Sequence, residues 1–146
     1  MQPRLDFAKA APEGARMLAQ LHGYVAKSGL DPALIDLVYL RISQINGCAY
    51  CVDLHWRDAM KKGVEPRKLN AVAAWEEMPF FSPGERAAFA WAESLTLVAA
   101  TKAPDAIYEA ARAQFSDKEL ADLTYAIAVM NAYNRLGVGF RKLPAA

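Results

Sequence analysis

The chain reads as an all-α protein: a single-domain helical bundle of seven to eight helices, with a C-x-x-C pair at the start of its central helix. Three observations carry this reading. Apolar residues recur at helical spacing in every strong segment, and nowhere do they alternate as in a strand. Proline or capping-box signals precede these segments and glycine follows several of them. Finally, 146 residues suit one domain over 1–146, and no linker, repeat or low-complexity run divides them.

Each helix has its own signals. Pro12 fits the first turn of a helix reaching about Lys27, with Leu18, Leu21 and Val25 inward and Gly29 as the stop. Asp31-Pro32 is a cap followed by an N1 proline, and the helix it opens carries Leu34, Leu37, Val38, Ile42 and Ile45 on one stripe. Asn46-Gly47 is a turn signal, with Gly47 suited to a left-handed helix end. The next helix runs from about Cys48 to Lys62, and its inner stripe reads Cys48, Cys51, Val52, His55, Ala59. Glu65-Pro66 opens a short helix to Trp75, and residues 76–81 form a loop. Ser82-Pro83-Gly84-Glu85 is a capping box that starts a helix to about Ala99. Pro104-Asp105 begins a helix ending near Gln114. A second capping box, Ser116 to Glu119, leads the longest helix, with Leu120, Leu123, Ile127, Met130 and Asn134 on one side. Val138 and Phe140 continue as a final turn or short helix.

Composition narrows the function. The charge is +1, with no basic run, so no nucleic-acid surface is expected. Glu93 interrupts the alanine-rich run from Ala87 to Ala100, which argues against a membrane span, and the N-terminus lacks a signal-peptide core. A cytoplasmic location is expected. The only two cysteines, Cys48 and Cys51, lie three apart at a helix start, where free N–H groups and the helix dipole favour thiolate. His55 follows Cys51 by four residues on the same face. Asp36 lies about ten residues before the Asn46-Gly47 bend and His55 about nine after it, roughly 13–15 Å along each helix. A carboxylate at 36 can therefore face the imidazole and orient it to take a proton from Cys51.

The run Ser43-Gln44-Ile45-Asn46-Gly47-Cys48-Ala49-Tyr50-Cys51-Val52-Asp53-Leu54-His55 resembles the core of the alkylhydroperoxidase D-type proteins of the carboxymuconolactone decarboxylase superfamily. Arg41 and Arg57-Asp58-Ala59 extend the resemblance, as do Ala73-Ala74-Trp75-Glu76, Pro79-Phe80-Phe81, Glu85-Arg86-Ala87-Ala88 and Asn131-Ala132-Tyr133-Asn134-Arg135. The alkylhydroperoxidase core falls at about 31–100. The resemblance implies an all-α fold, homo-oligomers (trimers or hexamers), no metal or organic cofactor, and a thiol peroxidase cycle. In that cycle Cys48 and Cys51 match the redox pair, His55 the relay histidine, and Asp36 the position of a family glutamate, one methylene longer. Tyr50 stands where the best-studied members have histidine. A hydroperoxide substrate and an external dithiol reductant complete the expected cycle. The helical pairing with His55 points to Cys51 as first nucleophile, and exposure at the helix end points to Cys48 as the sulfur that meets the reductant.

Other readings compete for the same residues. Cys48, Cys51 and His55 supply three zinc-type donors without an evident fourth, and two cysteines can be plain apolar core. His22 reads as an interface or core-edge histidine, Glu76 and Asn131 as buried polar residues, and Trp56, Trp75, Phe80 and Phe81 as pocket wall or core. The functional alternatives are a decarboxylase-type lyase of the same superfamily and a redox-sensing oligomer without turnover.

Overall fold

Nine α-helices and one 3-10 turn build residues 1–144, the part described by a computed structural model, with no strand among them. In order they are α1 (Phe7–Ala10), α2 (Pro12–Ala26), α3 (Pro32–Asn46), α4 (Ala49–Lys61) and α5 (Pro66–Ala71). The 3-10 turn (Val72–Glu77), α6 (Pro83–Thr96), α7 (Val98–Thr101), α8 (Asp105–Arg112) and α9 (Asp117–Phe140) follow. The expected all-α bundle is present, with corrections at its joints. Asp6, accepting from the N–H groups of Ala8 and Lys9, caps a four-residue α1 too short to show periodicity. Ala74 leaves helical dihedrals, so the helix opened by Pro66 tightens into the 3-10 turn and the loop shrinks accordingly. Leu97 breaks the predicted helix to Ala99 into α6 and α7. Val138 and Phe140 are not a separate turn but the end of α9.

Helix α3 is the hub, packed against α4, α9 and α6. Leu37, Val38, Tyr39, Leu40 and Ile42 on it are all essentially buried, so it is covered on nearly every side. Helix α4 buries only Cys51, His55 and Ala59 and leaves Asp53, Arg57 and Lys61 outward, as its sequence stripe requires. Trp75 and Phe81 both pack against Phe89, tilted and edge-on respectively, which makes the first two core rather than pocket wall. The α3–α4 corner is a Schellman turn: the Cys48 N–H donates to the Ser43 carbonyl (3.0 Å) and the Gly47 N–H to that of Gln44 (3.3 Å). Gly47 sits at φ 68°, where a side chain would be strained. That turn sets α3 and α4 side by side and delivers Cys48 to the N-cap of α4. No helix among the described residues is long and apolar enough to cross a membrane.

Candidate active site

Both cysteines are free and buried, Cys48 at 2% and Cys51 at 4% exposure. The expectation that Cys48 is the exposed sulfur is therefore overturned: α9 crosses directly over it. A Cβ on Gly137 of α9 would lie 2.9 Å from the Cys48 sulfur and 3.8 Å from that of Cys51. Only glycine lets the two helices approach this closely. Cys48 is also the N-cap of α4 rather than its first helical residue, which places the Cys51 backbone N–H within electrostatic reach of its sulfur.

The two sulfurs push each other's ionisation in opposite directions. Cys48 is lowered to about 7, chiefly because the Cys51 thiol donates to it; burial opposes this, and the Cys51 backbone N–H, the Asn134 side chain and the Lys142 charge assist. Cys51 moves upward, first through that same hydrogen bond and then through burial. The pair thus releases one proton near neutrality and retains the second, with the resting charge on Cys48. Beneath it lies a polar ladder. Asn134 donates to the Ser43 hydroxyl (3.1 Å), while Asn46 donates to the side-chain oxygens of Asn131 and Asn134 (3.0 Å each). Asn131 in turn donates to Thr96 on α6 (3.1 Å). Asn131 is half-buried and Glu76 exposed, so neither is the fully buried polar residue expected.

Asp36 reaches His55 despite its short side chain: its Oδ1 lies 3.3 Å from Nδ1, with both residues buried. An ionised carboxylate only accepts, so Nδ1 carries the proton and Nε2 remains as the exchanging atom. The other carboxylate oxygen pairs with Lys62. Burial pushes the Asp36 pKa up, but the hydrogen bonds to His55 and Lys62 outweigh it and hold the carboxyl below its usual value. Cys51, His55 and Asp36 all face one cavity of about 550 Å³, enclosed by α2, α3, α4 and α9. The zinc-type donors weighed from the sequence do not come together as a metal-binding group among the described residues.

Several residues join this site from outside its sequence motif. Lys62, seven residues beyond His55, lies two helical turns along the same side and so reaches Asp36. Gly137 continues the inner stripe of Met130 and Asn134, and a glycine on a buried stripe signals close approach. His22, read from the sequence as an interface or core-edge histidine, is half-buried and lines the cavity, its pKa lowered mainly by burial. Lys142 lies beyond the last helix, its ammonium 4.1 Å from the centre of the Tyr50 ring.

Residues 12–94 match the sequence profile of the Carboxymuconolactone decarboxylase family. The chain belongs to that family, and its fold is that of the AhpD-like members. Among particular relatives, an uncharacterised Bacillus subtilis (strain 168) protein, YdfG, is 33% identical over 138 residues, which cover 94% of each chain. A solved Agrobacterium tumefaciens protein of unknown function, proposed to be the antioxidant defence protein AhpD, is 40% identical. It superposes with a TM-score of 0.97 over 99% of both chains. The debrominase Bmp8 shares the fold at 19% identity and a TM-score of 0.85, covering 94% of this chain and 74% of its own.

Proposed function

We propose that the protein is a thiol-dependent peroxidase that reduces hydroperoxides through the Cys48/Cys51 dithiol, assisted by His55 and Asp36. The observation that carries this reading is the buried sulfur pair, with the Cys48 pKa lowered to about 7, at a cavity that also holds a carboxylate-oriented imidazole. Cys51 stands on the cavity wall and is the nucleophile; its proton passes to the Cys48 sulfur as it attacks. The Cys51 sulfur takes the terminal peroxide oxygen, the O–O bond breaks, and the leaving oxygen receives a solvent proton relayed by His55 Nε2, giving an alcohol or water. The Cys48 sulfur then displaces water from the Cys51 sulfenic acid and forms the disulfide. An external dithiol restores both thiols by two exchanges. With Cys48 buried, the reductant enters through the cavity and attacks the Cys51 sulfur, which reverses the role expected of Cys48.

The site belongs to a cytoplasmic homo-oligomer in this reading. Steady-state peroxide consumption with a dithiol donor tests it: turnover is lost in both Cys48→Ser and Cys51→Ser, and a trapped sulfenic acid accumulates on Cys51 in the Cys48→Ser protein. Lactone decarboxylation surviving both substitutions would establish lyase chemistry instead. No turnover, with assembly changing on oxidation, would establish a redox sensor.

A further inference from the structure

Tyr39 projects from the hub helix α3 between two imidazoles. The His22 ring stacks on it at 5.8 Å between centroids, and His55 meets it edge-on at 4.9 Å. Its side chain is among the largest fully buried ones, at 1% exposure, yet its hydroxyl has no hydrogen-bond partner among the described residues. Buried hydroxyls are almost always paired, so an orphan needs a reason. Tyr39 lines the cavity, and so does His22, whose ring also makes no hydrogen bond among the described residues. Burial favours the neutral form of His22, which offers one donor and one acceptor.

The cavity itself is far larger than hydrogen peroxide requires. Its 550 Å³ compares with about 30 Å³ for one water in the liquid. Phe7, Ile35, Leu54 and Met130 give it apolar walls that suit a carbon skeleton. We propose that Tyr39 and His22 form a polar subsite for a second oxygen function, a carbonyl or hydroxyl, carried on the skeleton of an organic hydroperoxide. The preferred substrate is then an oxygenated organic hydroperoxide rather than hydrogen peroxide or a plain alkyl hydroperoxide. That the ligand is a hydroperoxide rests on the peroxidase reading; that the cavity selects an additional oxygen rests on Tyr39 and His22 alone.

Binding of the product alcohols separates the two. Calorimetry on the reduced protein compares 2-phenyl-2-propanol with its para-acetyl derivative, and turnover compares the corresponding hydroperoxides. The acetylated alcohol is expected to bind about tenfold tighter, as one good hydrogen bond to an otherwise unpaired buried donor provides. Tyr39→Phe keeps the ring and the packing, and should abolish that preference while leaving the plain alcohol's affinity unchanged. His22→Phe should reduce it. Equal affinities in the wild type, or an undiminished preference in either variant, would overturn the proposal. Preferential binding with no peroxide consumption would remove the peroxidase reading and leave the subsite standing. Turnover without preference would do the reverse.

Discussion

Gly137→Ala puts one methyl group where α9 crosses the dithiol. The added carbon would stand 2.9 Å from the Cys48 sulfur, whereas ordinary heavy-atom contact begins near about 3.5 Å, so sulfur or helix must yield by about 0.6 Å or more. Alanine in place of a helical glycine gains up to about 1 kcal/mol, and overpacking a tight core costs about 1–3 kcal/mol. The net effect is a loss of about 0–2 kcal/mol, or a fall in Tm of up to about 8 °C for a chain of this size. The larger effect falls on the thiols. Displacing the Cys48 sulfur weakens the hydrogen bond from Cys51, the main cause of its value of about 7. A full return to 9.0 would cut the thiolate fraction at pH 7 by about fiftyfold. The ultraviolet absorbance of the thiolate, followed against pH, should therefore shift upward in Gly137→Ala, and peroxide reactivity at pH 7 should fall tenfold or more. Gly139→Ala is the control, since no atom lies within 4 Å of its added carbon; it should leave the titration unchanged and stability equal or slightly higher. An unaltered titration in Gly137→Ala would show that the close passage of α9 does not shape the sulfur pair.

Asp36→Asn removes the charge that orients His55 and pairs with Lys62. Peroxide turnover should drop tenfold or more, and stability by about 1–2 kcal/mol, less than for a fully buried pair because the Lys62 side chain is 40% exposed. Wild-type activity would take Asp36 out of the mechanism. Because the folded pKa of Asp36 is depressed, its contribution is present above the unfolded carboxylate value and is lost as pH falls through the folded one; the wild-type loss of stability in acid should shrink in Asp36→Asn. The Cys48 pKa is also depressed, from 9.0 to about 7, so the reduced protein should gain stability as pH rises from about 7 to 9. Above 9 the raised Cys51 works against the fold, because the unfolded chain ionises it first. Urea midpoints across this range, compared with Cys48→Ser, check the window; a flat profile would contradict the lowered thiol. Lys142→Met should move the thiol titration upward by less than about one pH unit, as should high salt in the wild type, and no shift would place the ammonium out of reach.

Local signals spoke clearly where a short stretch of chain decides the outcome. Asp31-Pro32, Asn46-Gly47 and the two capping boxes at Ser82 and Ser116 place four helix boundaries because each needs only its own next few residues. The Asp36–His55 meeting was legible too, because the turn between α3 and α4 is tight and rise per residue carries position across it. What arrives from α2, α9 and the chain's end was not. His22 and Tyr39 stack, and Lys142 covers Tyr50, only because helices distant in sequence converge, and no periodicity encodes that. The burial of Cys48 belongs to the same class: a helix end is open by default, and only the passage of Gly137 closes it. Leu97 divides α6 from α7 without glycine or proline, so nothing in the local sequence announces the break.

Whether the two sulfurs open and close a bond in response to peroxide is decided by mass spectrometry of the reduced protein after one equivalent of hydroperoxide. The loss of two hydrogens per chain, with the Cys48 and Cys51 peptides joined and no oxygen retained, is the expected result. Two intact thiols, or oxygen left on a single sulfur with no link formed, would contradict it.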